Sequence, residues 1–117
     1  MGVHIPQAEL LTKMLDVALL RHRVLADNIA NINTPGYLRK YVTFEQSLAR
    51  ALSSSGNPYA SKPAVLTDHA TPGRVDGNNV DLDEEIGRLS KNALLYQLYM
   101  QILASRVATT RTAITGR

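Results

Sequence analysis

Three groups of side chains in this sequence could do chemistry, and none has the spacing that a catalytic or metal site needs. His4, His22 and His69 are far apart and match no ligand pattern such as His-Glu-x-x-His. The acidic run at residues 83–85 lies at the predicted start of a helix, where the helix dipole favours negative charge. The serines at 53–55 belong to a linker and not to a nucleophilic site. We therefore expect a protein that is not an enzyme, without catalytic, metal-binding or cofactor-binding residues.

Composition and charge exclude further classes. The chain has 117 residues, which is one domain at most. Its formal net charge is +3 and its longest basic cluster is Arg39–Lys40, so we expect no nucleic-acid partner. No stretch approaches about 18 consecutive apolar residues, so we expect no membrane insertion. Residues 1–6 lack the basic start and apolar run of a cleaved signal peptide, which leaves open an export route without cleavage.

The last third of the chain, residues 81–115, predicts one long helix. Asp81 can cap its start, and Glu84 completes a capping box. At alternating steps of four and three, the segment presents a mainly apolar row: Leu82, Ile86, Leu89, Ala93, Tyr96, Met100, Leu103, Val107, Thr110 and Ile114. Such a repeat is typical of a helix that buries a seam against other helices. At about 50 Å the helix is too long for the core of so small a domain, so part of the seam needs partners outside the chain.

Residues 7–32 predict a second long helix with a matching repeat. Its row consists of Leu11, Leu15, Ala18, His22, Leu25, Ile29 and Ile32. The place of His22 in this row predicts a partly buried, hydrogen-bonded histidine. Lateral pairing is the simplest use of two matching seams. The predicted fold is therefore mainly α, with long N- and C-terminal helices paired as a coiled-coil-like hairpin.

Residues 33–80 predict a turn, a short helix and a long irregular loop. Pro35 disfavours helix at the residue before it, and Gly36 permits a positive φ, so the first helix should end in a sharp turn. Residues 37–42 are β-prone and should run extended. From Pro58 to Asn79 the chain is rich in Pro, Gly, Ser, Thr and Asn, and we expect a mobile or partner-ordered loop there.

The short helix in this region should be capped by Thr43 and carry Phe44 and Leu48 on its apolar face.

The turn after the first helix carries a specific motif. Residues 25–37 read Leu-Ala-Asp-Asn-Ile-Ala-Asn-Ile-Asn-Thr-Pro-Gly-Tyr. They closely resemble the N-terminal motif of the flagellar rod, hook and hook-filament-junction proteins. The matching positions are Asn28, Ile29, Ala30, Asn31, Thr34, Pro35, Gly36 and Tyr37. Residues 76–83 resemble the segment before the C-terminal helix of the proximal rod proteins in that family, so the resemblance covers both termini and most of the chain.

The resemblance implies a structural subunit of the proximal rod in the bacterial flagellar basal body, with residues 1–117 as a single rod-type domain. Proteins of this family polymerise through their terminal helices into a helical tube that crosses the periplasm, transmits torque and surrounds the export channel. The implied assembly seam includes Leu11, Leu15, Leu25, Ile29, Leu82, Ile86, Leu89, Tyr96, Met100, Leu103 and Val107.

The resemblance also implies partners and a location. The partners are other copies of the chain, other flagellar rod proteins, the adaptor that links the membrane ring to the rod, and the flagellar type III export apparatus. That apparatus exports its substrates without a cleaved signal peptide. No cofactor is implied.

The sequence supports two roles for Phe44 and Leu48 about equally. Early substrates of the export apparatus carry a Phe-x-x-x-apolar motif, which residues 44–48 match. The same two residues also fit the buried face of a short helix.

Two other functions are compatible with parts of the sequence. A coiled-coil adaptor or small secretion chaperone that binds one partner helix explains the heptads equally well, but it does not explain the motif at residues 28–37. A basic helical nucleic-acid binder would need a basic stripe, which the chain lacks.

Overall fold

Two long helices dominate the fold. The computed structural model describes residues 7–53 and 57–116. The first helix, α1, spans Gln7–Ala30, and the last helix, α3, spans Leu82–Thr115. The molecule is elongated, with extents of 63 × 33 × 14 Å. The predicted fold class, mainly α with long terminal helices, is confirmed.

The two long helices pair as an antiparallel hairpin. Asn28 of α1 contacts Glu85 of α3, and Ala18 contacts Asn92. The residue number therefore falls along one helix as it rises along the other.

Local capping fixes the ends of α3. The carboxylate of Asp81 accepts the N–H of Glu84 at 3.2 Å, which satisfies one of the free donors of the first turn. At the other end Gly116 adopts a left-handed φ of 72°, and its N–H donates to the carbonyl of Thr112. Both ends of the helix thus follow from residues that lie beside them in the sequence.

A small sheet and a short helix lie between the long helices. Strand β1 spans Lys40–Thr43 and pairs antiparallel with strand β2, Ala64–Thr67. Helix α2 follows β1 directly and spans Glu45–Ser53. Thr43 is the last residue of β1 and does not cap α2, so that detail of the sequence analysis is wrong.

The connection from α2 to α3 is more ordered than expected. Within residues 57–79 a 3₁₀ turn spans Pro58–Ala60, and β2 follows it. The ladder to β1 satisfies backbone groups that a free loop would leave to water. The segment was predicted to be a mobile or partner-ordered loop, and this turn and strand show that part of it forms regular structure within the subunit.

The apolar core lies between α1 and the start of α2. Phe44 is fully buried and packs with Val17, Val24 and Val42. Met14, Leu20 and Leu48 pack around this cluster. The single phenylalanine of the chain thus joins α1, the sheet and α2. Its burial, at about 25 cal/mol per Å² of apolar surface, is a main contribution to the stability of this small core.

The helix α3 faces α1 with a different row from the predicted one. The row of least exposed positions is Glu85, Leu89, Asn92, Leu95, Tyr96, Tyr99 and Leu103. It shares only Leu89, Tyr96 and Leu103 with the apolar row of the sequence analysis. The remaining members of that apolar row point away from the hairpin, and Leu82, Ile86, Met100 and Val107 are 42%, 47%, 44% and 54% exposed.

His22 is exposed on α1, so the expectation of a partly buried histidine is wrong. The other α1 positions of the predicted seam are covered to different degrees: Leu15 and Leu25 are buried, and Leu11 and Ile29 are half-buried. In the part of the chain that the structure describes, no helix has the combination of length and apolar character that crossing a bilayer requires.

Candidate functional site

The two motif segments of the sequence lie against each other in the fold. The N–H of Gly36 donates to the carbonyl of Asp76 at 2.8 Å. Gly36 has a φ of 74° and Gly77 a φ of 85°, a region that glycine occupies without strain. A Cβ on Gly77 would lie 3.4 Å from the Cα of Gly36, so the two turns approach closely. We call residues 31–37 together with residues 73–80 the double turn.

Asn78, in the second half of the double turn, binds the first half, which directly follows α1. Its fully buried amide group donates to the carbonyls of Asn31, Ile32 and Thr34 at 2.9, 3.0 and 2.9 Å. Its Oδ1 accepts the N–H of Val80 at 2.8 Å. These carbonyls lie in the turn that follows α1, and the side chain that satisfies them comes from the segment that precedes α3.

Arg74 ties the same two segments together. Its guanidinium donates to the carbonyl of Val80 at 2.9 Å and also to the carbonyl of Ile32. A Cβ on Gly73 would approach the carbonyl oxygen of Gly77 to 2.7 Å, so only glycine fits beside Arg74 in this turn. The two halves of the double turn are therefore held together by the side chains of Arg74 and Asn78, which donate to backbone carbonyls of residues 31–34.

Asn28 stands at the centre of a buried polar network. Its Nδ2 donates to the carbonyl of Lys40 at 2.7 Å and to Oε2 of Glu85 at 3.0 Å. Its Oδ1 accepts the N–H of Lys40 at 2.9 Å and the hydroxyl of Tyr37 at 3.0 Å. All four hydrogen-bonding positions of the amide are filled, as a fully buried asparagine requires.

Glu85 connects this asparagine to two arginines. Its Oε1 accepts Nε of Arg39 at 2.8 Å and a guanidinium N–H of Arg88 at 2.6 Å. Arg39 continues to Asp68 at 3.1 Å. Burial opposes the charged form of Arg39, but its hydrogen bonds to Glu85 and Asp68 raise its pKa. A fully buried carboxylate is tolerable only with charged donors of this kind.

The outer part of the network is held by hydrogen bonds to carboxylate and amide oxygens. The hydroxyl and N–H of Thr71 donate to Asp68 and, with the help of Arg39, hold the pKa of that carboxyl well below its usual range. Asn79 accepts the N–H of Arg39 at 2.7 Å and donates to the carbonyl of Asp68 at 2.9 Å. Burial, reinforced by Asp27 and Glu85, raises the pKa of Tyr37, so its hydroxyl remains a donor to the network.

A second polar contact joins the helices one heptad further along α3. Nδ2 of Asn92 donates to the carbonyl of Ala18 at 2.8 Å. Asn92 is 3% exposed, and among the described residues its Oδ1 has no hydrogen-bond partner. A buried carbonyl oxygen without a partner costs free energy, typically about 1–3 kcal/mol.

The structure separates the predicted motif residues into three groups. Asn28 and Tyr37 belong to the network, and Asn31, Thr34 and Gly36 build the double turn. Ile29 is half-buried, while Ala30 and Pro35 are exposed. The sequence analysis missed Arg39, Asp68 and Glu85 of the network and the separate contact of Asn92, and no spacing rule would have found Arg39 and Asp68. Glu85 and Asn92, however, lie one heptad apart on α3.

The pair proposed as an export motif lies in the core. Phe44 is fully buried, and Leu48 packs against its cluster. The N–H of Leu48 donates to the carbonyl of Phe44 at 2.9 Å, so the two residues share one face at the start of α2. Their place in the fold fits the reading of a buried helix face.

The end of α3 has little cover from the rest of the chain. From residue 104 to residue 116 every position is exposed, including Val107 and Ile114. The charged residues of this segment are Arg106 and Arg111, and neither forms an ion pair with a described residue. We call the exposed apolar row Leu82, Ile86, Met100, Val107 and Ile114 the outer stripe. The side chains of this stripe are between 42% and 79% exposed.

No metal chemistry is visible in the described part of the chain, residues 7–53 and 57–116, because no three of its histidine and acidic side chains are grouped so that they could hold an ion. The polar clusters instead tie α1, the double turn and α3 into one scaffold.

Comparisons with known proteins identify the class of protein to which this chain belongs. A family described as flagella basal body rod protein matches residues 19–37, which include Asn28 and the first half of the double turn. The class is therefore that of the structural rod components of the bacterial flagellar basal body, which are not enzymes.

The relatives define the family more narrowly. The flagellar basal body rod protein FlgB of Borrelia hermsii is 34% identical, with 89% of this chain and 92% of the relative covered. FlgB of Salmonella typhimurium is 33% identical, with 80% and 81% covered, and FlgB of Bacillus subtilis is 29% identical, with 91% of each covered. The chain belongs to the FlgB family of flagellar basal body rod proteins.

Proposed function

We propose that this rod component polymerises through its terminal helices into a helical tube, which transmits torque and surrounds the export channel. The observation that carries the proposal is the outer stripe of α3, which the hairpin leaves exposed over most of the helix. In a monomer these side chains face water. In a tube they pack against the helices of neighbouring subunits, and their burial supplies the free energy of assembly.

The rigidity that torque transmission needs is supported by the double turn and the network. Asn78, Arg74 and Asn28 join the end of α1 to the start of α3 through several hydrogen bonds each. A load applied to one helix is then passed to the other through bonded groups and not through a free loop. The exposed Pro35 and Gly36 mark where the chain leaves the hairpin.

The neighbours in this proposal are other copies of the chain, other flagellar rod proteins and the adaptor between membrane ring and rod. A heterologous contact that does not close on itself gives a helical assembly. The proposed location is the periplasmic rod, reached through the flagellar type III export apparatus without a cleaved signal peptide.

A role of Phe44 and Leu48 in export requires an unfolded chain, because both side chains are covered in the folded subunit. The same two residues could thus act first as an export signal and later as core. An export assay with Leu48→Ala separates the two roles, since a purely structural role leaves the amount of secreted chain unchanged.

The experiment that tests the proposed function combines light scattering and circular dichroism of the purified chain, alone and mixed with rod proteins from its host. We expect growth of large assemblies and a gain in helix signal on mixing. A discrete dimer at every concentration, unchanged by the rod proteins, would contradict polymerisation and favour an adaptor that binds one helix.

A further inference from the structure

The helix α3 buries its more polar face within the subunit and exposes its more apolar one. The face toward α1 contains Glu85 and Asn92, the two fully or nearly fully buried residues of the helix. The corresponding positions of the neighbouring row are Ile86 and Ala93, which are exposed. Hydrophobic burial alone would favour the opposite orientation.

The two faces are close enough to compete. Both rows contain Leu89, Tyr96 and Leu103, so a small rotation of α3 about its axis would exchange Asn92 and Tyr99 for Ala93 and Met100. Such a rotated hairpin would bury Met100 and leave Asn92 in water. It would also remove part of the outer stripe from the surface.

Polar contacts oppose that rotation at two points. Glu85 is tied to Asn28 of α1 and to Arg39, both outside α3, which fixes the start of the helix. One heptad later, Asn92 has one contact, the 2.8 Å hydrogen bond to the carbonyl of Ala18. Its Oδ1 is buried without a partner among the described residues, so this position is not optimised for stability.

We propose that Asn92 is a specificity-determining residue, which selects the rotation of α3 and thereby keeps the outer stripe free for neighbouring subunits. A single buried asparagine in a helical seam can specify register at a cost in stability, since alternatives that bury it without a partner are disfavoured. Asn92 performs this task for the half of α3 beyond Glu85. Its consequence for assembly rests on the proposed function, whereas the rotation itself is a property of the isolated chain.

Single cysteines can report the rotation directly, because the chain contains no cysteine of its own. Met100→Cys samples the outer stripe, Tyr99→Cys samples the face toward α1, and Leu94→Cys samples an exposed control position. The rate of reaction with a maleimide is measured for each in the otherwise unchanged purified chain and in a chain that also carries Asn92→Leu.

We expect Asn92→Leu to melt at the same or a higher temperature while the reaction slows several-fold at Met100→Cys and quickens at Tyr99→Cys. Leu94→Cys should react at the same rate in both backgrounds. Gln97→Leu, an exposed substitution on α3, is the matched control and should change neither rate. Asn92→Ser keeps a hydroxyl donor, and we expect it to lower stability but to retain the original labelling pattern.

Three results would overturn the proposal. If Asn92→Leu keeps the original pattern of labelling rates, Asn92 does not select the rotation. If Asn92→Leu loses its cooperative melt, Asn92 is needed for stability and not for specificity. If Asn92→Ser changes the pattern in the same way as Asn92→Leu, the hydrogen bond to Ala18 is not the cause. Assembly of the chain into rods tests the proposed function separately, since rods could fail to form while the labelling result stands.

Discussion

Asn28 and Glu85 are joined by a 3.0 Å hydrogen bond between Nδ2 and Oε2, although one lies near the end of the first helix and the other near the start of the last. Both side chains are fully buried. Each also holds groups that are not its own: Asn28 binds both backbone groups of Lys40, and Glu85 binds Arg39 and Arg88. The pair therefore links α1, β1 and α3 at one point.

Replacing Asn28 by alanine should destabilise the fold strongly. The change leaves the N–H and carbonyl of Lys40 and the hydroxyl of Tyr37 without their partner in a buried place. We expect a loss of about 2–4 kcal/mol in the free energy of unfolding. Denaturant unfolding of the purified chain measures it, and Asn33→Ala at an exposed position is the control. Equal stability of the two variants would show that the network contributes little.

Glu85→Gln removes the charge from the network but keeps its shape. Arg39 and Arg88 then lose their common buried carboxylate, and we expect a destabilisation of about 3–5 kcal/mol. Glu84→Gln is the matched control, because Glu84 is the exposed neighbour and forms only a surface ion pair with Arg88. A surface pair of this kind is worth at most about 1 kcal/mol. A thermal melt that responds equally to both substitutions would contradict the assigned role of Glu85.

The stability of the fold should fall at acid pH in part through Asp68. Its pKa in the folded chain lies below the ordinary value of 3.8, chiefly because Thr71 donates to its carboxylate. The resulting stabilisation is present above the ordinary pKa and is lost as the pH falls below it, from about pH 5 downward. Unfolding curves at pH 7 and pH 3 measure the loss. Asp68→Asn should reduce it, whereas Asp16→Asn on the exposed side of α1 should not.

Gly36 and Gly87 should respond to alanine with opposite signs. Gly36 has a φ of 74°, and open space surrounds its missing Cβ, so Gly36→Ala tests backbone strain alone. We expect a loss of about 1 kcal/mol. Gly87 lies within α3 and also has open space, so Gly87→Ala should gain about 0.5–1 kcal/mol from helix propensity. If both changes shift the midpoint of unfolding in the same direction, Gly36 is not required for the left-handed backbone conformation of the turn.

Hydrogen exchange should divide α3 into two parts. The part of α3 from residue 82 to residue 103 contains positions that are buried or half-buried against the rest of the chain. Residues 104–115 are exposed throughout. Helix without tertiary contacts opens readily, so amides of the second part should exchange fast in the monomer and slowly in an assembly. Uniform protection of the whole helix in the monomer would mean that the end of α3 does not need a neighbour to be stable.

The sequence predicted the two long helices because their apolar repeats and the cap at Asp81 are local features. It also singled out both halves of the double turn, through Gly36 and the segment 76–83. The sequence did not reveal that these two halves bind each other. Asn78 and the carbonyl of Asn31 are far apart along the chain, and no repeat in the sequence links them.

The inner face of α3 was mispredicted for a physical reason. An apolar repeat identifies a face that must be buried somewhere, but it does not say whether the cover comes from the same chain. Here hydrogen bonds to other segments offset the cost of burying Glu85 and Asn92 inside the hairpin, and the apolar row stays outside. Likewise β2 was missed, since residues 64–67 are exposed or half-buried and are held by pairing with β1.

Electron microscopy of basal bodies isolated from the host bacterium after deletion of the gene tests most directly whether this chain builds the rod through its outer stripe. We expect membrane rings without a completed rod, with rods restored by the original chain but not by a chain carrying Ile86→Glu and Val107→Glu in the outer stripe. Leu94→Glu, at an exposed α3 position outside that stripe, should restore rods. Complete rods in the deletion strain, or rods restored by the chain with the two glutamates, would contradict a role of the outer stripe in rod assembly.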